Sequence, residues 1–559
     1  MARSLAPAFA FAFASCLLPG CYDGSQWDEL LAMAGPSSSS SSSSSTGTDA
    51  DSDSDSLTTT SASGGTTAGG TEGSTGASGS EGGSTGLPLI PTVDNVSIVP
   101  DPLTYSGSQL VQVHAHDSEG VRMEYGTDQV QGKTTIELTE IEPGIFEGLL
   151  KVYTGFDSGN HEVTITPWKS NGNEEGEPVI AAYSIDLQQP GSGGLWEISK
   201  ALTGPGQVQA IAVLQNGDII EFITLFDDDT THCMLRRRES GGSWGNSDLI
   251  DVVPGIECRA IDIEISDDGT LGLLMDRSFA GEWTWSLLKM SSWGAETKSA
   301  GSGNPGEVAY ALAEFDGSLA VCGSTPTGKA DLTDAMVRVF PPGLSGQMQT
   351  FDSEAKGSNM FTETARGCAF IGDKGSEILV VGDTFGPHVD WKFDRNRRFD
   401  LIYRLSDNSG DLHVTDPGPG LQSVAVDVDV DEESGRAIVL GYICEKNCVP
   451  EGQLWLLEDG EQVWQTSIGP HPVKQLRPFA VRWSPARYFV VASGDLEGAG
   501  AAFLIRAYAP FESEPLWTFS RETPGLLNLA LTLTIGAYGE VYAGGYAANA
   551  FPVFAIIYG

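Results

Sequence analysis

The stretch AYALAEFDGSLAVCGS, residues 309–324, decides the fold class of this chain. It consists of a short apolar strand, a tight turn at Asp316-Gly317 and a second apolar strand that ends in glycine and serine. An Asp-Gly pair between two runs of alternating apolar residues is a strong short-range signal for a β-hairpin. The stretch therefore predicts two antiparallel strands with at least one face in a hydrophobic core.

The same strand–turn–strand pattern recurs seven times between residues 194 and 559. The first strands of the seven copies begin at Ala210, Ala260, Ala309, Cys368, Ala425, Ala480 and Ala530. Glycine marks the turn in six copies, at Gly217, Gly269, Gly317, Gly375, Gly435 and Gly539. The mean spacing of about 54 residues fits units of four short strands, which are the blades of a β-propeller.

The two ends of this region predict a closed ring. The seventh copy stops at residues 554–558, one strand short of a complete blade, while residues 194–198 form an extra strand before the first copy. Closing the ring with that extra strand would remove the exposed sheet edges. We therefore predict an all-β chain with a propeller at residues 194–559. Seven blades fit best, and six or eight remain open.

The repeats also resemble a known family. The strand ending "LAVCGST" at residues 319–325 is similar to bacterial extracellular β-propeller repeats of the SBBP type. The resemblance covers residues 194–559 and its motif is loose, so it implies the fold rather than the function.

The N-terminus resembles that of a bacterial lipoprotein. An apolar run at residues 5–18 is too short to span a bilayer and has the length of a signal-peptide core. It ends in LPGC, with leucine three residues before Cys21, which resembles the lipobox. The resemblance implies a signal peptide at residues 1–20, acylation of Cys21 and, with Tyr22 next, sorting to the outer membrane, facing the periplasm or the cell surface. A simple secretory signal is the alternative.

Two segments separate this anchor from the propeller. Residues 21–86 are rich in Ser, Gly and Thr and include nine consecutive serines, so we expect a disordered tether. Residues 87–190 contain about seven short alternating strands separated by turn-formers, which resembles bacterial Ig-like modules and predicts a small β-sandwich. The expected strands are 93–99, 110–116, 121–125, 134–138, 146–153, 161–168 and 179–185.

Charge and motifs narrow the function. The chain has 31 basic and 75 acidic residues, a net charge of −44, which argues against nucleic acid as a partner. A G-x-S-x-G match at residues 241–245 lies between predicted strands, whereas a hydrolase nucleophile requires a strand-to-helix turn. With no convincing catalytic motif, we expect that the protein is not an enzyme.

The cysteines predict disulfides. Of eight, Cys16 leaves with the signal peptide and Cys21 carries lipid, so six remain in an exported chain. The repeat favours the pairs Cys233–Cys258 and Cys322–Cys368 between neighbouring blades and Cys444–Cys448 within one loop. Metal binding is the alternative for the last pair.

Candidate binding residues lie on one propeller face, where the loops between second and third strands emerge. The longest of these loops, residues 383–400, concentrates charges of both signs and a tryptophan, and long loops on rigid scaffolds often carry function. The candidates are Asp383, His388, Asp390, Trp391, Asp394 and Arg395.

A second acidic feature lies in the first strand of blade five. Asp427, Asp429 and Asp431 alternate with valine and so share one face. Arg482 stands in blade six at the position that the sequence aligns with Asp427, so we expect an inter-blade ion pair. A calcium site is the alternative, and no other cofactor is expected.

Together these features predict a surface-tethered binding or interaction lipoprotein. It would be anchored in the outer membrane by its lipid and would present the propeller to a glycan, peptide or protein. One alternative is a propeller hydrolase or lyase acting on glycans, with paired carboxylates at the channel mouth such as Asp383 with Asp390 or Asp394. The second alternative is a purely structural surface protein.

Overall fold

The structure of the chain is a computed structural model. It describes residues 90–558 except 100, 104–106, 127–132, 153–157, 170–173, 187–191, 199–204, 228–229, 240–248, 280, 292, 328–331, 343–347, 354–361, 373–374, 387–394, 416, 419, 432–433, 446–449, 469–475, 486–487, 496–501, 523–527 and 548–550. The elements assigned within these ranges are all β-strands, as predicted. None of the described residues belongs to a helix long and apolar enough to cross a membrane. Cys21 and the predicted signal peptide and tether lie outside the described residues.

The first nine strands form two sheets. They are β1 (Thr92–Val99), β2 (Gly107–His116), β3 (Gly120–Gly126), β4 (Lys133–Glu137), β5 (Thr139–Glu142), β6 (Ile145–Val152), β7 (Gly159–Lys169), β8 (Glu174–Glu175) and β9 (Val179–Ile185). One sheet has the order β1-β2-β6-β5 and the other β4-β3-β7-β8, with β9 also paired to β7. Alternate residues of both sheets, such as Val111, Val113, Met123 and Ile165, are buried in one core. This is a β-sandwich.

The remaining strands form seven four-stranded sheets, the blades. Blade one contains β11 (Gly206–Val213), β12 (Ile219–Asp227), β13 (Thr230–Arg238) and β14 (Leu249–Asp251); blade two β15 (Cys258–Ile265), β16 (Leu271–Phe279), β17 (Glu282–Met290) and β18 (Lys298–Ser302); blade three β19 (Val308–Phe315), β20 (Ser318–Pro326), β21 (Thr333–Phe340) and β22 (Gln349–Asp352); blade four β23 (Thr362–Ile371), β24 (Glu377–Gly386), β25 (Arg395–Arg404) and β26 (Ser409–Val414). Blade five contains β27 (Leu421–Val430), β28 (Ala437–Glu445), β29 (Glu451–Glu458) and β30 (Glu461–Ser467); blade six β31 (Leu476–Trp483), β32 (Phe489–Asp495), β33 (Ala502–Tyr508) and β34 (Trp517–Arg521); blade seven β35 (Leu529–Ile535), β36 (Val541–Ala547), β37 (Phe551–Tyr558) and β10 (Ser192–Ile198).

The ring closes as the sequence predicts. Strand β10 pairs antiparallel with β37, with Trp196 opposite Ala555, and so supplies the fourth strand of blade seven. The first strand of each blade packs against that of the next blade, and β35 packs against β11. The seven-bladed propeller is therefore confirmed, with the seven first strands around a central channel.

Every first strand carries a β-bulge at the same level. The residues skipped by the pairing are Gln209, Ile261, Tyr310, Arg366, Val426, Phe479 and Leu531. In four blades the second strand has glycine opposite the bulge, at Gly323, Gly382, Gly441 and Gly545. A Cβ at these glycines would lie 1.9–2.0 Å from a backbone carbonyl oxygen of the first strand, so the close approach explains the glycine that ends the repeat pattern.

Two predicted disulfides are confirmed. Cys233 of blade one is bonded to Cys258 of blade two, and Cys322 of blade three to Cys368 of blade four. Cys444 is also disulfide-bonded, while Cys448 lies outside the described residues. The two confirmed bonds each cross a junction between neighbouring blades.

Candidate functional site: the polar channel

A charged cluster lies inside the channel, just beyond the bulges. It consists of Asp262 and Glu264 on β15, Asp427 and Asp429 on β27, and Arg482 on β31. These residues come from blades two, five and six, yet all four carboxylates act electrostatically on the Arg482 guanidinium. Burial opposes a charge on Arg482, but the carboxylates outweigh it and raise the pKa of its guanidinium. The ring thus brings five ionisable side chains from distant repeats together.

Three of these carboxylates also join blades. Asp427 Oδ2 accepts hydrogen bonds from Arg482 Nη1 at 2.7 Å and from the backbone N–H of Val481 at 2.9 Å. Asp429 Oδ2 accepts from the backbone N–H of Trp483 at 2.6 Å. In blade two, Asp262 Oδ2 accepts from the N–H of Leu312 in blade three at 2.9 Å. The same hydrogen bond, from a backbone N–H of one blade to an aspartate of the preceding blade, therefore joins blade two to blade three and blade five to blade six.

Glu264 is the exception in this cluster. Its carboxyl accepts no hydrogen bond from any residue that the structure describes. Burial, together with the neighbouring Asp262, raises its pKa well above the ordinary value, and Arg482 only partly opposes this. Burial likewise raises the pKa of Asp262 and of Asp429 to about 6. Glu264 therefore differs from the other three carboxyls of the cluster, which accept hydrogen bonds from a neighbouring blade.

The register of Arg482 differs from the sequence alignment. The bulge of β31 falls between Pro478 and Ala480, whereas that of β27 falls between Ala425 and Asp427. Counted from the bulge, Arg482 is therefore level with Asp429, two residues beyond the predicted position. The expected ion pair with Asp427 nevertheless forms, because alternate residues of a strand share a face and a long side chain reaches the neighbouring level.

A second polar group lies closer to the end at which the first strands begin. We call this the loop end, because the loops between second and third strands emerge there. Arg366, the bulge residue of blade four, donates from Nε to Asp383 Oδ1 at 2.5 Å and lies over the ring of Tyr310 at 5.7 Å. Burial, with Asp383 and Asp276 adding to it and Arg366 opposing it, raises the pKa of Tyr310. Burial also raises the pKa of Asp276 to about 6, with Arg259 opposing.

Exposed aromatic residues flank this polar group. Phe279 at the end of β16 is 77% exposed, and Phe385 near the end of β24 is 45% exposed. Between them in the ring lies blade three, and next to Phe279 the guanidinium of Arg259 stacks on Trp283 at 4.3 Å. Both exposed phenylalanines are therefore candidates for contact with a ligand.

Of the six predicted binding residues, the structure describes two, Asp383 and Arg395. Asp383 lies within β24 rather than in the loop, 5% exposed, and its carboxylate is paired with Arg366. Arg395 begins β25 with its Cα opposite Gly386. His388, Asp390, Trp391 and Asp394 lie outside the described residues.

The contribution of blade two to the channel was not predicted from the sequence. A signal was present, since residues 260–265 read AIDIEI and residues 425–430 read AVDVDV, the same acidic alternation at the same place in the repeat. Asp262 and Glu264 could have been found from that parallel. Asp431, the third candidate of blade five, accepts a hydrogen bond from the Ser434 hydroxyl. Within the described ranges no group of three or more His, Cys, Asp or Glu side chains is arranged to hold a metal ion.

Comparisons with known proteins extend to the fold only. No protein-family model and no curated protein matches this chain. Among solved structures, the chain is similar to the β-propeller domain of the Trilobed protease from Pyrococcus furiosus, at 10% identity and a TM-score of 0.38, over 62% of this chain and 93% of that one. It is also similar to a protein of unknown function from Dyadobacter fermentans, at 10% identity and a TM-score of 0.38, over 66% and 100% of the two chains. A third is the Pyrococcus horikoshii acylaminoacyl peptidase, at 11% identity and a TM-score of 0.38, over 63% of this chain and 50% of that one.

One expectation is corrected by this comparison. The sequence contains no convincing catalytic motif, and on that ground we expected no enzymatic activity. The similar structures include a propeller domain of a protease and a peptidase, and the expectation is withdrawn. At 10–11% identity no activity is carried over to this chain.

Proposed function

We propose that this protein is a surface-tethered binding lipoprotein. In this proposal Cys21 carries the lipid, residues 21–86 are the tether to the outer membrane, and the sandwich, an Ig-like module in this reading, is a spacer. The propeller then presents its loop end to a peptide segment of an extracellular or periplasmic protein. The lipobox and the composition of the tether support the location at the outer membrane. The residues at the loop end of blades two to four support the binding site.

The observation that carries the proposal is the pair of exposed phenylalanines at the loop end. Phe279 and Phe385 belong to blades two and four, so a ligand that touches both must extend across blade three. Between them lie the carboxyl of Asp276 and the ion pair of Arg366 with Asp383, which offer polar contacts to a main chain. Spaced apolar contacts with polar groups between them suit an extended peptide better than a single sugar ring.

A thermal melt of the full chain against matched panels of peptides and glycans tests this proposal. A ligand that binds the native state raises the melting midpoint by mass action. We expect at least one peptide to raise it, and we expect Phe279→Ala and Phe385→Ala to remove the shift. Leu516→Ala, which removes a 50% exposed apolar side chain from blade six, is the matched control and should keep the shift. A peptide site would be rejected if only glycans raised the melting midpoint, or if no compound raised it.

Hydrolysis of a glycan is a second candidate, favoured by the raised pKa of Asp276. A carboxyl that titrates near neutrality can hold and release a proton, as general acid catalysis requires. Its partner would be Asp383, because both carboxylates help to raise the pKa of the Tyr310 hydroxyl. Release of reducing sugar from a glycan panel by the parent chain but not by Asp276→Asn would support this candidate.

A further inference from the structure

A cavity of about 370 Å³ with many charged side chains in its lining lies between blades two and three. It is at the turn end of the propeller, where the turns between first and second strands emerge, and the turns at Asp268-Gly269 and Asp316-Gly317 belong to these two blades. Strands of one blade are antiparallel, so this end is opposite to the loop end that carries Phe279. The volume is in the range of small-molecule sites, about 300–1,000 Å³.

A buried lysine lines this cavity. Lys289 on β17 is 9% exposed, and its ammonium donates to the carbonyl oxygen of Gly317, another lining residue, at 3.2 Å. An ammonium has three N–H donors, and no other described residue accepts from Lys289. Burial lowers the pKa of Lys289, with Asp268 and Glu314 opposing. A buried donor of this kind is stabilised by an acceptor that a ligand brings.

The charges around the cavity disfavour an anionic ligand. Its lining contains four carboxylates and two ammonium groups, from Asp267, Asp268, Glu296, Asp316, Lys289 and Lys298. The net charge of the lining is therefore negative. The carboxylate of Asp268 is held ionised, because hydrogen bonds from Thr270 lower its pKa. A phosphate or sulfate would meet more repulsion than attraction here.

The lining contains apolar surface, but a wholly apolar ligand would leave its charged groups without partners. Pro342 contributes an apolar ring, and the other side chains of the lining are charged or hydroxyl-bearing apart from Gly317. Carboxylates accept hydrogen bonds and the buried ammonium donates them. A hydroxyl group does both, so a molecule with many hydroxyls can satisfy both kinds of partner at once.

We propose that this cavity is a binding site for a small neutral polyhydroxylated molecule, a mono- or disaccharide. A sugar oxygen accepts from the Lys289 ammonium, and neighbouring sugar hydroxyls donate to the carboxylates of Asp268 and Asp316. The site is at the opposite end of the propeller from the proposed peptide surface and does not depend on it.

Isothermal titration calorimetry on the full chain tests this site. The probes are neutral mono- and disaccharides, with inorganic phosphate and glycine as comparison compounds. We expect at least one sugar to bind and both comparison compounds to fail. We expect Lys289→Met, which keeps the aliphatic stem, and Asp268→Asn to weaken binding about tenfold or more, since each removes a hydrogen bond to a charged group. Lys151→Met, a change at an exposed lysine of the sandwich, should leave binding unchanged.

Several outcomes would overturn the assignment. One is that no sugar binds, and another is that Lys289→Met binds as tightly as the parent. Binding of phosphate or glycine in place of sugars would also overturn it, because the ligand class would be wrong. If Lys289→Met does not fold, Asp316→Asn decides instead, since asparagine tolerates the positive φ of 47° at this turn residue and the variant should still lose affinity.

Discussion

Replacing Gly441 with alanine should destabilise the propeller strongly. A Cβ at this position would lie 2.0 Å from the carbonyl oxygen of Val424, and also 2.8 Å from a ring carbon of Trp455. Since a carbon and a carbonyl oxygen normally approach to about 3.3 Å, the two strands would have to separate by about 1 Å. Overpacking of this kind costs about 1–3 kcal/mol, and a backbone oxygen leaves less room for relief, so we expect a loss of about 3 kcal/mol or more.

Urea unfolding followed by tryptophan fluorescence measures this loss. Gly126→Ala is the matched control, because nothing lies within 4 Å of its Cβ position, and its stability should change by less than about 0.5 kcal/mol. Blades one, two and six have Ile223, Met275 and Ser493 opposite their bulges, so side chains are accommodated there. If Gly441→Ala were as stable as Gly126→Ala, blade five would be able to accommodate a side chain opposite its bulge, as blades one, two and six do. The close approach of the two strands would then not explain the glycine.

Three further predictions concern the junctions and the channel. Removing the Cys322–Cys368 disulfide with paired alanines should cost about 4 kcal/mol by the loop-entropy relation for a 46-residue separation, and an unchanged urea midpoint would contradict this. The pKa of Asp276 is raised in the folded state, so the free energy of unfolding increases as the pH falls through about 6. Asp276→Asn should remove about 3 kcal/mol of this increase between about pH 7.5 and 4. The difference in urea midpoint between parent and variant at the two pH values measures it. Arg482→Met should cost about 3 kcal/mol near pH 7.5, because Asp427 loses its ion-pair partner. The cost should be smaller near pH 5, where the neighbouring carboxyls of Asp262 and Asp429 take up protons. An equal loss at both pH values would show that packing rather than charge is responsible.

The sequence determined the repeat and therefore the architecture. The turn glycines and the strand-ending glycines are local signals, since each depends on a hairpin of about fifteen residues. The closing strand at residues 194–198 and the disulfides between consecutive blades followed from the same repeat, because each unit of a repeat packs against its neighbours in the chain. Seven of the nine strands of the sandwich followed in the same way from period-2 alternation, whereas the short strands β5 and β8 were not predicted.

The channel cluster was decided only by the tertiary structure. Alternation predicts that Asp427 and Asp429 share a face, but their meeting with Asp262 and Glu264 depends on ring closure, which places blade two near blades five and six. The level of each side chain depends on the bulges, which shift the register after Ala425 and after Pro478 and so place Arg482 beside Asp429. A bulge is set by how two strands and the neighbouring blade fit together, so no window of sequence within one repeat contains that information.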